Sequence, residues 1–258
     1  MRTVVLSFDD SRKDFYIRVF PLLKRYGITV TLNVVSGFVS GRCSIKGAPD
    51  GAMTWKQVVE CDRYGIEIAC HGSNHKNESD DLQQNIEELK QHGIDTARIG
   101  FASPTSFLTW QNKNDGGIWN MVEKGEISYI RSGNRLRRNS LSDKILSVLD
   151  MILHSKLLFR RLNRKNVITS LSAPFMLSVG VYSYTTVPQV MSFLRHLPQD
   201  GAVILTFHSI LDVQDKGYGD TKFYWDVHRF EALLQALTCD TTISLTTTCE
   251  LLDTYFEK

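Results

Sequence analysis

The chain has 258 residues, a length that suits one large domain or two small ones and that is common among α/β barrels. Its composition, 42% hydrophobic and 22% charged, is that of a globular protein able to fold without a disulfide or a structural metal, so a bound metal would more typically be catalytic. The formal net charge of +2 argues against a general nucleic-acid binder, and we expect no nucleic-acid partner.

Short apolar runs alternate with amphipathic segments along most of the chain. The apolar runs predict strands at residues 3–8, 29–35, 66–70, 99–102, 128–130, 202–207 and 242–246. Helices are predicted at residues 15–26, 54–64, 79–91, 117–124 and 226–237, and after the capping box of Thr247 and Glu250. Thr54 and Ser79 are the expected N-caps of two of these helices. The alternation predicts a mostly parallel sheet, and the number of repeats favours an α/β barrel over an open sheet.

Residues 135–165 interrupt this alternation. The segment carries nine Lys and Arg residues against two acidic ones, Asp143 and Asp150. Its leucines and isoleucines recur at helical spacing. We therefore expect one domain over residues 1–258, with a basic amphipathic helix inserted at about 135–165. That helix could lie on a membrane surface as a peripheral contact, or it could pack over the flank of the barrel.

The cysteines and the N-terminal residues indicate the expected cellular location of the protein. Cysteines at positions 43, 61, 70, 239 and 249 are scattered and form no CxxC pair, which is typical of reduced thiols. The N-terminus runs directly into an apolar strand, without the leader and cleavage site of a signal peptide. No stretch approaches the roughly 18 consecutive apolar residues of a membrane span. The expected location is cytoplasmic, or peripheral at the membrane if the basic segment binds there.

Two adjacent carboxylates, Asp9 and Asp10, follow the first predicted strand. In parallel α/β folds the carboxyl ends of the strands carry the active site. Neighbouring carboxylates repel each other, so the pair needs a cation or a proton nearby. A metal bound by one Asp, with the other Asp free as a base, meets this need. Taken alone, such a pair is more often a helix cap or a surface turn.

Histidines follow two other predicted strands. His71 and His75 come directly after residues 66–70, four positions apart, so a helical turn or tight loop can direct both rings toward one ion. Two imidazoles and one carboxylate leave a zinc ion an open position for water. His208 follows residues 202–207. Each histidine alone could be a surface or core residue, but three strand ends that carry such groups favour an active site.

The motifs around these residues resemble those of the NodB-homology polysaccharide deacetylases, carbohydrate esterase family 4. SFDDS at 7–11 resembles the family's TFDDG, and GIEIACHGSNH at 65–75 resembles its G-x-E-I strand followed by H-[S/T/G]-x-x-H. TVTLNVVSG at 29–37 is similar to its T-F-F-V-x-G strand, and LTFH at 205–208 approaches its L-x-H motif. The resemblance covers roughly residues 1–132 and 200–258.

The resemblance implies a distorted (β/α) barrel of the NodB-homology type, with seven or so parallel strands and a helical insertion. It implies that Asp10, His71 and His75 bind one divalent metal ion, usually Zn²⁺, with Co²⁺ or Ni²⁺ as alternatives. Asp9 would be the general base that activates water, and His208 the general acid. Further expected substrate-binding positions are Pro104, Arg131, Thr206 and Phe207.

The sequence departs from the family pattern in two places. The third motif normally places an Arg that braces the base Asp, and Ala102 occupies that position here. Arg131 is our candidate replacement, although it could also be a solvated surface charge. The fourth motif, an Asp with a nearby Trp, has no match between residues 105 and 200. Trp225 and Asp226 have the right residue types but follow His208, in the wrong order.

These residues predict a metal-dependent hydrolase that removes an N-acetyl group from an amino sugar by metal-activated water. The expected substrate is an N-acetylhexosamine in a glycan or a lipid-linked saccharide. One alternative is a deformylase of a lipid-linked amino sugar, which would use the same residues. Another is a glycan-binding pseudoenzyme with a decayed site, which the change at Ala102 favours.

Overall fold

A closed barrel of seven parallel strands forms the centre of the computed structural model, which describes residues 1–109, 117–133, 140–212 and 222–256. Successive strands lie side by side in chain order, and the seventh pairs with the first. The strands are β1 (Arg2–Phe8), β2 (Thr31–Val34), β3 (Glu67–Cys70), β4 (Phe101–Ala102), β5 (Ile130–Gly133), β6 (Phe175–Gly180) and β7 (Ala202–Phe207). Because all of them pair in parallel, their carboxyl ends lie at one rim.

Three further strands are β8 (Ser209–Leu211), β9 (Tyr224–Asp226) and β10 (Ile243–Thr246). Strand β10 pairs with residues 2–5 of β1, and β2 pairs with residues 7 and 8 of the same strand. One edge of β1 is thus shared between two partners, and this distorts the barrel. The predicted distorted (β/α) barrel with about seven parallel strands is confirmed. Strands β8 and β9 form a separate two-stranded sheet beyond the rim.

Helices connect the strands. They are α1 (Phe20–Tyr26), which a π-helical turn (Phe15–Val19) precedes, α2 (Ser36–Val39), α3 (Trp55–Tyr64), α4 (Ser79–Gln91), α5 (Ile118–Glu123), α6 (Leu141–Leu153), α7 (Lys156–Asn163), α8 (Val187–Arg195), α9 (Val227–Cys239) and α10 (Thr248–Tyr255). None of the helices in the described part of the chain is long and apolar enough to cross a bilayer.

The helix starts follow local capping chemistry. Thr54 caps α3 and Thr247 caps α10, each in a capping box, as the sequence predicted. The predicted capping role of Ser79 is wrong. Glu78 occupies the N-cap position of α4 in extended conformation, and Ser79 is the first helical residue.

The segment predicted as one basic amphipathic helix forms two helices. Helix α6 ends at Leu153, because its C-cap His154 has a φ of +47° that takes the chain out of the helical conformation, and Ser155 caps α7. The predicted helical insertion thus consists of two helices in the described residues. Three of the basic residues used in that prediction, Arg135, Arg137 and Arg138, lie outside the described residues.

Aromatic packing fixes the ends of the two strands that close the barrel. The rings of Phe8 and Phe207 stack with centroids 5.2 Å apart, and the ring of Phe230 from α9 lies 5.6 Å from each of them. All three side chains are buried. Because successive side chains of a strand alternate in direction, Ser7 and Thr206 face the opposite side. The residues that follow, Asp9 and His208, are thereby held at the rim.

Candidate active site

Five side chains able to bind a metal or transfer a proton meet at the carboxyl ends of three barrel strands. They are Asp9 and Asp10 after β1, His71 and His75 after β3, and His208 after β7. Asp9, Asp10 and His71 are buried, whereas the side chains of His75 and His208 keep 27% and 21% of their surface exposed. A substrate would therefore approach from the side of His75 and His208.

Asp10, His71 and His75 have the spacing of ligands to one ion. The Oδ1 atom of Asp10 lies 3.4 Å from Nε2 of His71 and 3.5 Å from Nε2 of His75, and the three ligand atoms all lie within 4.8 Å of one another. Two ligand atoms bound to a tetrahedral zinc ion at 2.0–2.1 Å are about 3.3 Å apart. The residues present therefore fit a divalent metal ion in both chemistry and spacing.

Backbone contacts orient the ring of His71. Its Nδ1 atom lies 2.7 Å from the carbonyl oxygen of Ala102 on β4, an acceptor, so Nδ1 carries the proton and Nε2 is free to bind a metal. The backbone N–H of His71 lies 2.9 Å from the carbonyl oxygen of Val34 and 3.0 Å from Oδ1 of Asn85. Burial lowers the pKa of His71, but the carboxylates of Asp9 and Asp10 outweigh this and hold the pKa above its usual value.

Arg12 fixes the carboxylate of Asp10. Its Nε and Nη2 atoms donate to Oδ2 of Asp10 at 2.9 and 2.6 Å, so that Oδ1 faces the histidines. Burial raises the pKa of Asp10, but the hydrogen bond from His71 and the charge of Arg12 bring it well below the usual value. Arg12 Nη1 also donates to Oγ of Ser209 at 2.8 Å, and Ser209 in turn contacts Asp14. The pKa of buried Asp14 is raised to about 6, chiefly by burial.

The loop that carries His75 is held by one acidic residue of α4. The Oδ1 atom of Asp81 accepts from the backbone N–H and the side-chain amide of Asn74, both at 2.8 Å, and Oδ2 accepts from the backbone N–H of Lys76 at 3.2 Å. Gly72 has a φ of +78°, and a Cβ atom there would lie 2.5 Å from Oδ2 of Asp81. His75 itself has a φ of +59°. Burial, together with the charge of His71, lowers the pKa of His75 to about 4.

Arg131, which lies on β5, braces Asp9. A nitrogen of its buried guanidinium, Nη2, donates to Oδ1 of Asp9, and the side-chain amide of Asn33 donates to the same oxygen at 2.8 Å. Arg131 on β5 is the register partner of Ala102 on β4, so the cation enters from the strand next to the expected position. Burial raises the pKa of Asp9, but Arg131, with help from His71 and His208, more than offsets this and lowers it.

His208 faces Asp9 across the site. Its Nε2 atom lies 3.8 Å from Oδ2 of Asp9, and its ring lies 5.0 Å from that of Phe223, measured between centroids. Its Nδ1 atom is buried and has no hydrogen-bond partner among the described residues. Burial lowers the pKa of His208 more than the carboxylates of Asp9 and Asp10 raise it. The ring is therefore mostly neutral at neutral pH.

The other expected substrate-binding residues occupy different positions. Thr206 is buried, on the strand face opposite to Phe207, and its hydroxyl has no hydrogen-bond partner within the described ranges. Phe207 packs in the core and is not brought to the cluster. Pro104 is buried in a 3₁₀ turn, and its carbonyl oxygen accepts from Nδ2 of Asn77 at 2.9 Å. The roles of Pro104, Thr206 and Phe207 in substrate binding therefore stay predictions.

Trp225 and Asp226, the residue pair with the composition of the fourth motif, have structural partners. Nε1 of Trp225 donates to the carbonyl oxygen of Thr185 at 2.7 Å, and the ring packs in the core. Asp226 is the N-cap of α9 and accepts from the backbone N–H of Arg229 at 3.0 Å. Neither residue contacts His208 in the hydrogen bonds described.

Three residues of the site, Arg12, Asn33 and Asp81, were not predicted from the sequence. Asn33 carries a detectable signal, because it is a polar residue within an apolar strand. Asp81 lies in the first turn of α4, where acidic residues are common for reasons of the helix dipole alone. Arg12 carries no local signal, since its contact depends on the φ of +76° at Asp10.

Comparison with known proteins gives one family. Residues 1–131, just over half of the chain, match the family model described as Polysaccharide deacetylase. No curated protein sequence matches the chain.

Two similar solved structures with TM-scores above 0.5 share the fold, and a third matches half of the chain. The Xyl-CE4 domain of a multidomain xylanase from the hindgut metagenome of Trinervitermes trinervoides is 15% identical, with a TM-score of 0.51 over 97% of this chain and 89% of its own. A BA3943 mutant, described as a CE4 family pseudoenzyme with restored enzymatic activity, is 11% identical, with a TM-score of 0.51 over 99% of this chain and 69% of its own. The Streptococcus pyogenes deacetylase PplD in complex with acetate is 23% identical, with a TM-score of 0.41; the match covers 50% of this chain and 54% of PplD.

Proposed function

The chain belongs to the polysaccharide deacetylase family, and from this membership we propose that it is a metal-dependent hydrolase that removes the N-acetyl group from an amino sugar. The observation that carries the proposal is the arrangement of the five side chains at the barrel rim. Asp10, His71 and His75 are spaced as ligands, while Asp9 and His208 stand beside them with no backbone-capping role.

Asp10, His71 and His75 would hold the ion. A divalent metal bound there supplies Lewis acidity, because it polarises the acyl carbonyl and makes water more acidic. Arg12 keeps one oxygen of Asp10 occupied, which leaves the other for the ion. The carbonyl oxygen of Ala102 places the proton of the neutral His71 ring on Nδ1, so that Nε2 is the nitrogen that would bind the ion.

Asp9 would accept the proton of the attacking water. The residue is suited to this because Arg131 lowers its pKa, so that the carboxylate is ionised at neutral pH despite burial. Its Oδ1 atom is occupied by Arg131 and Asn33, which leaves Oδ2 toward the histidines. Water oxygen attacks the carbonyl carbon, and one water proton passes to Oδ2 of Asp9.

His208 would protonate the leaving nitrogen. The C–N bond breaks, the acyl group leaves as acetic acid that keeps the second water proton, and the sugar nitrogen takes a proton from Nε2 of the imidazolium form of His208 to leave as a neutral amine. An amide nitrogen needs this proton, because its anion is too poor a leaving group. His208 and Asp9 lie 3.8 Å apart, so the proton taken by Asp9 can restore His208 after each turnover.

The proposed substrate is an N-acetylhexosamine in a glycan or a lipid-linked saccharide. The test is acetate release from chito-oligosaccharides and from lipid-linked N-acetylglucosamine, with and without a chelator. Asp9→Asn should lower turnover by about 10²- to 10⁴-fold yet keep the metal, whereas His71→Ala should lose both. A fully active His71→Ala protein would refute the ligand assignment. Mass spectrometry of the products distinguishes loss of acetyl from loss of formyl.

A second candidate function is glycan binding without catalysis. It is favoured by the Nδ1 atom of His208, which has no partner among the described residues, and by the lowered pKa of that ring. Both features weaken a general acid. Binding of chito-oligosaccharides without release of acetate in the presence of zinc or cobalt would support this candidate against the hydrolase.

A further inference from the structure

Helix α6 is amphipathic, and its more polar side is turned toward the protein. Asp150 is its one buried residue, and Asp143, Leu146 and Ser147 on the same side are half-buried. Oδ1 of Asp150 accepts from Nε2 of Gln189 on α8 at 3.0 Å, which fixes the helix to the body of the molecule. A surface helix of a globular protein normally shows the reverse arrangement, with its apolar stripe inward.

The opposite side of α6 is apolar and exposed. Its side chains recur at helical spacing, and we call this set the apolar ridge: Leu141, Ile145, Val148, Leu149, Ile152 and Leu153. Their exposed fractions run from 39% at Leu149 to 74% at Leu141. Leu157 at the start of α7, 64% exposed, extends the ridge beyond the helix break. Soluble monomers rarely leave such contiguous apolar surface uncovered.

Cations surround the apolar ridge. Between residues 140 and 199 the chain has seven Lys and Arg residues and two acidic ones, Asp143 and Asp150, the latter buried. The exposed cations next to the ridge in the chain are Lys144, Lys156, Arg161 and Arg164. The segment that bears the ridge therefore has more positive than negative residues.

We propose that the apolar ridge and its cations dock the protein onto an anionic lipid surface. A ridge of branched aliphatic side chains suits the acyl boundary, and the flanking cations suit the lipid headgroups. The 13 residues of α6 make a helix of roughly 20 Å, which can lie in the interface but cannot span a bilayer. Self-association through the same face would bring the cations of two copies together, so charge complementarity favours the lipid.

Co-sedimentation of the full chain with vesicles tests the proposal. We expect the protein to pellet with mixed phosphatidylcholine and phosphatidylglycerol vesicles at low salt, and to remain largely in the supernatant with phosphatidylcholine alone. The double variant Ile145→Ser/Ile152→Ser should reduce the pelleted fraction by about ten-fold, because it removes inserted apolar surface. The double variant Lys156→Gln/Arg161→Gln should bind the anionic vesicles more weakly, and its binding should depend less on the salt concentration.

Matched controls keep the test decisive. Ile17→Ser removes an exposed isoleucine far from the ridge in sequence, and Lys56→Gln/Arg63→Gln removes two exposed cations of α3; neither should change the pelleted fraction. All substituted side chains are exposed, so thermal unfolding should be unchanged. Absence of pelleting with anionic vesicles would overturn the proposal. The proposal would also be overturned if Ile145→Ser/Ile152→Ser pelleted as much as the unsubstituted protein. A dimer that is lost in that variant, together with no binding to vesicles, would overturn it as well.

Discussion

At the scale of single residues, the charge that supports Asp9 comes from the strand next to the expected one. Ala102 and Arg131 are register partners, so the two positions lie side by side on β4 and β5. Arg131 contacts Oδ1 of Asp9 from β5, while Ala102 stands where the resemblance would place an arginine.

Removal of this charge should change how activity depends on pH. Arg131→Ala removes the largest of the charges that oppose the effect of burial, so the pKa of Asp9 should rise and the acidic limb of the kcat/KM profile should move to higher pH. At neutral pH we expect a loss of about 100-fold, near the lower end of what a general base contributes. Arg131→Lys keeps the charge and should recover part of the activity. The measurement is acetate release as a function of pH, with metal content determined in parallel.

The exposed Arg63 supplies the control, because Arg63→Ala should leave the profile unchanged. Breaking a buried ion pair should also cost about 3–5 kcal/mol of stability, so thermal unfolding is measured for each variant. An acidic limb that stays in place in folded Arg131→Ala would mean that Arg131 does not set the pKa of Asp9.

The sequence allowed the candidate ligand and acid–base residues to be placed together because they lie at the ends of buried apolar runs. Asp10, His71 and His208 could be placed at strand ends from hydrophobicity alone. The contact between Arg12 and Asp10 could not, because it depends on a left-handed backbone at Asp10. Non-glycine residues adopt that conformation rarely, and no local pattern marks it.

At the scale of elements, the loop between β3 and α4 is held by the helix that follows it. Asp81 receives hydrogen bonds from three donors of the loop, so the position of His75 depends on the first turn of α4. The rigid element therefore orients a ligand that lies on an irregular segment.

Asp81→Ala should lower metal affinity by about 10- to 100-fold, the usual effect of removing a residue that orients a metal ligand. Competition titration against a chromophoric chelator measures this change. Asp80→Ala removes the exposed neighbouring carboxylate and should have no effect. Equal affinities for the two variants would show that the loop keeps its conformation without Asp81.

Strands and helices differed in how well the sequence predicted them. The fully buried run of β7 was predicted at its observed bounds, whereas β4 has only two residues and is defined by pairing with its neighbours. Strand β6 was not predicted, because it mixes buried and half-buried positions without a continuous apolar run. Helix α8 was also not predicted, although its capping box of Thr186 and Gln189 is a readable signal.

At the scale of the whole molecule, the barrel core is large enough to stand without the ion. The main core includes side chains from β1 to β3, β7 and the helices, and the site lies at its rim. A chelator should therefore abolish turnover while the far-ultraviolet circular dichroism spectrum stays unchanged. Free zinc at about 100 times its Kd should raise the free energy of unfolding by about 2.7 kcal/mol.

Thermal unfolding with and without zinc measures this stabilisation. His71→Ala/His75→Ala should unfold at the same temperature in both conditions, because it lacks two of the three proposed ligands. Loss of secondary structure on chelation would contradict the view that the metal serves catalysis and not folding.

The pairing of β1 with β7, which closes the barrel, also determines when the candidate site can form during synthesis of the chain. The backbone N–H of Asp9 donates to the carbonyl oxygen of Phe207, a residue translated almost two hundred positions later. A nascent chain on the ribosome can therefore already expose Asp10, His71 and His75 while the strand that secures β1 is still missing. The proposed ligands therefore reach their final relative positions only after the segment that contains Phe207 has been synthesised.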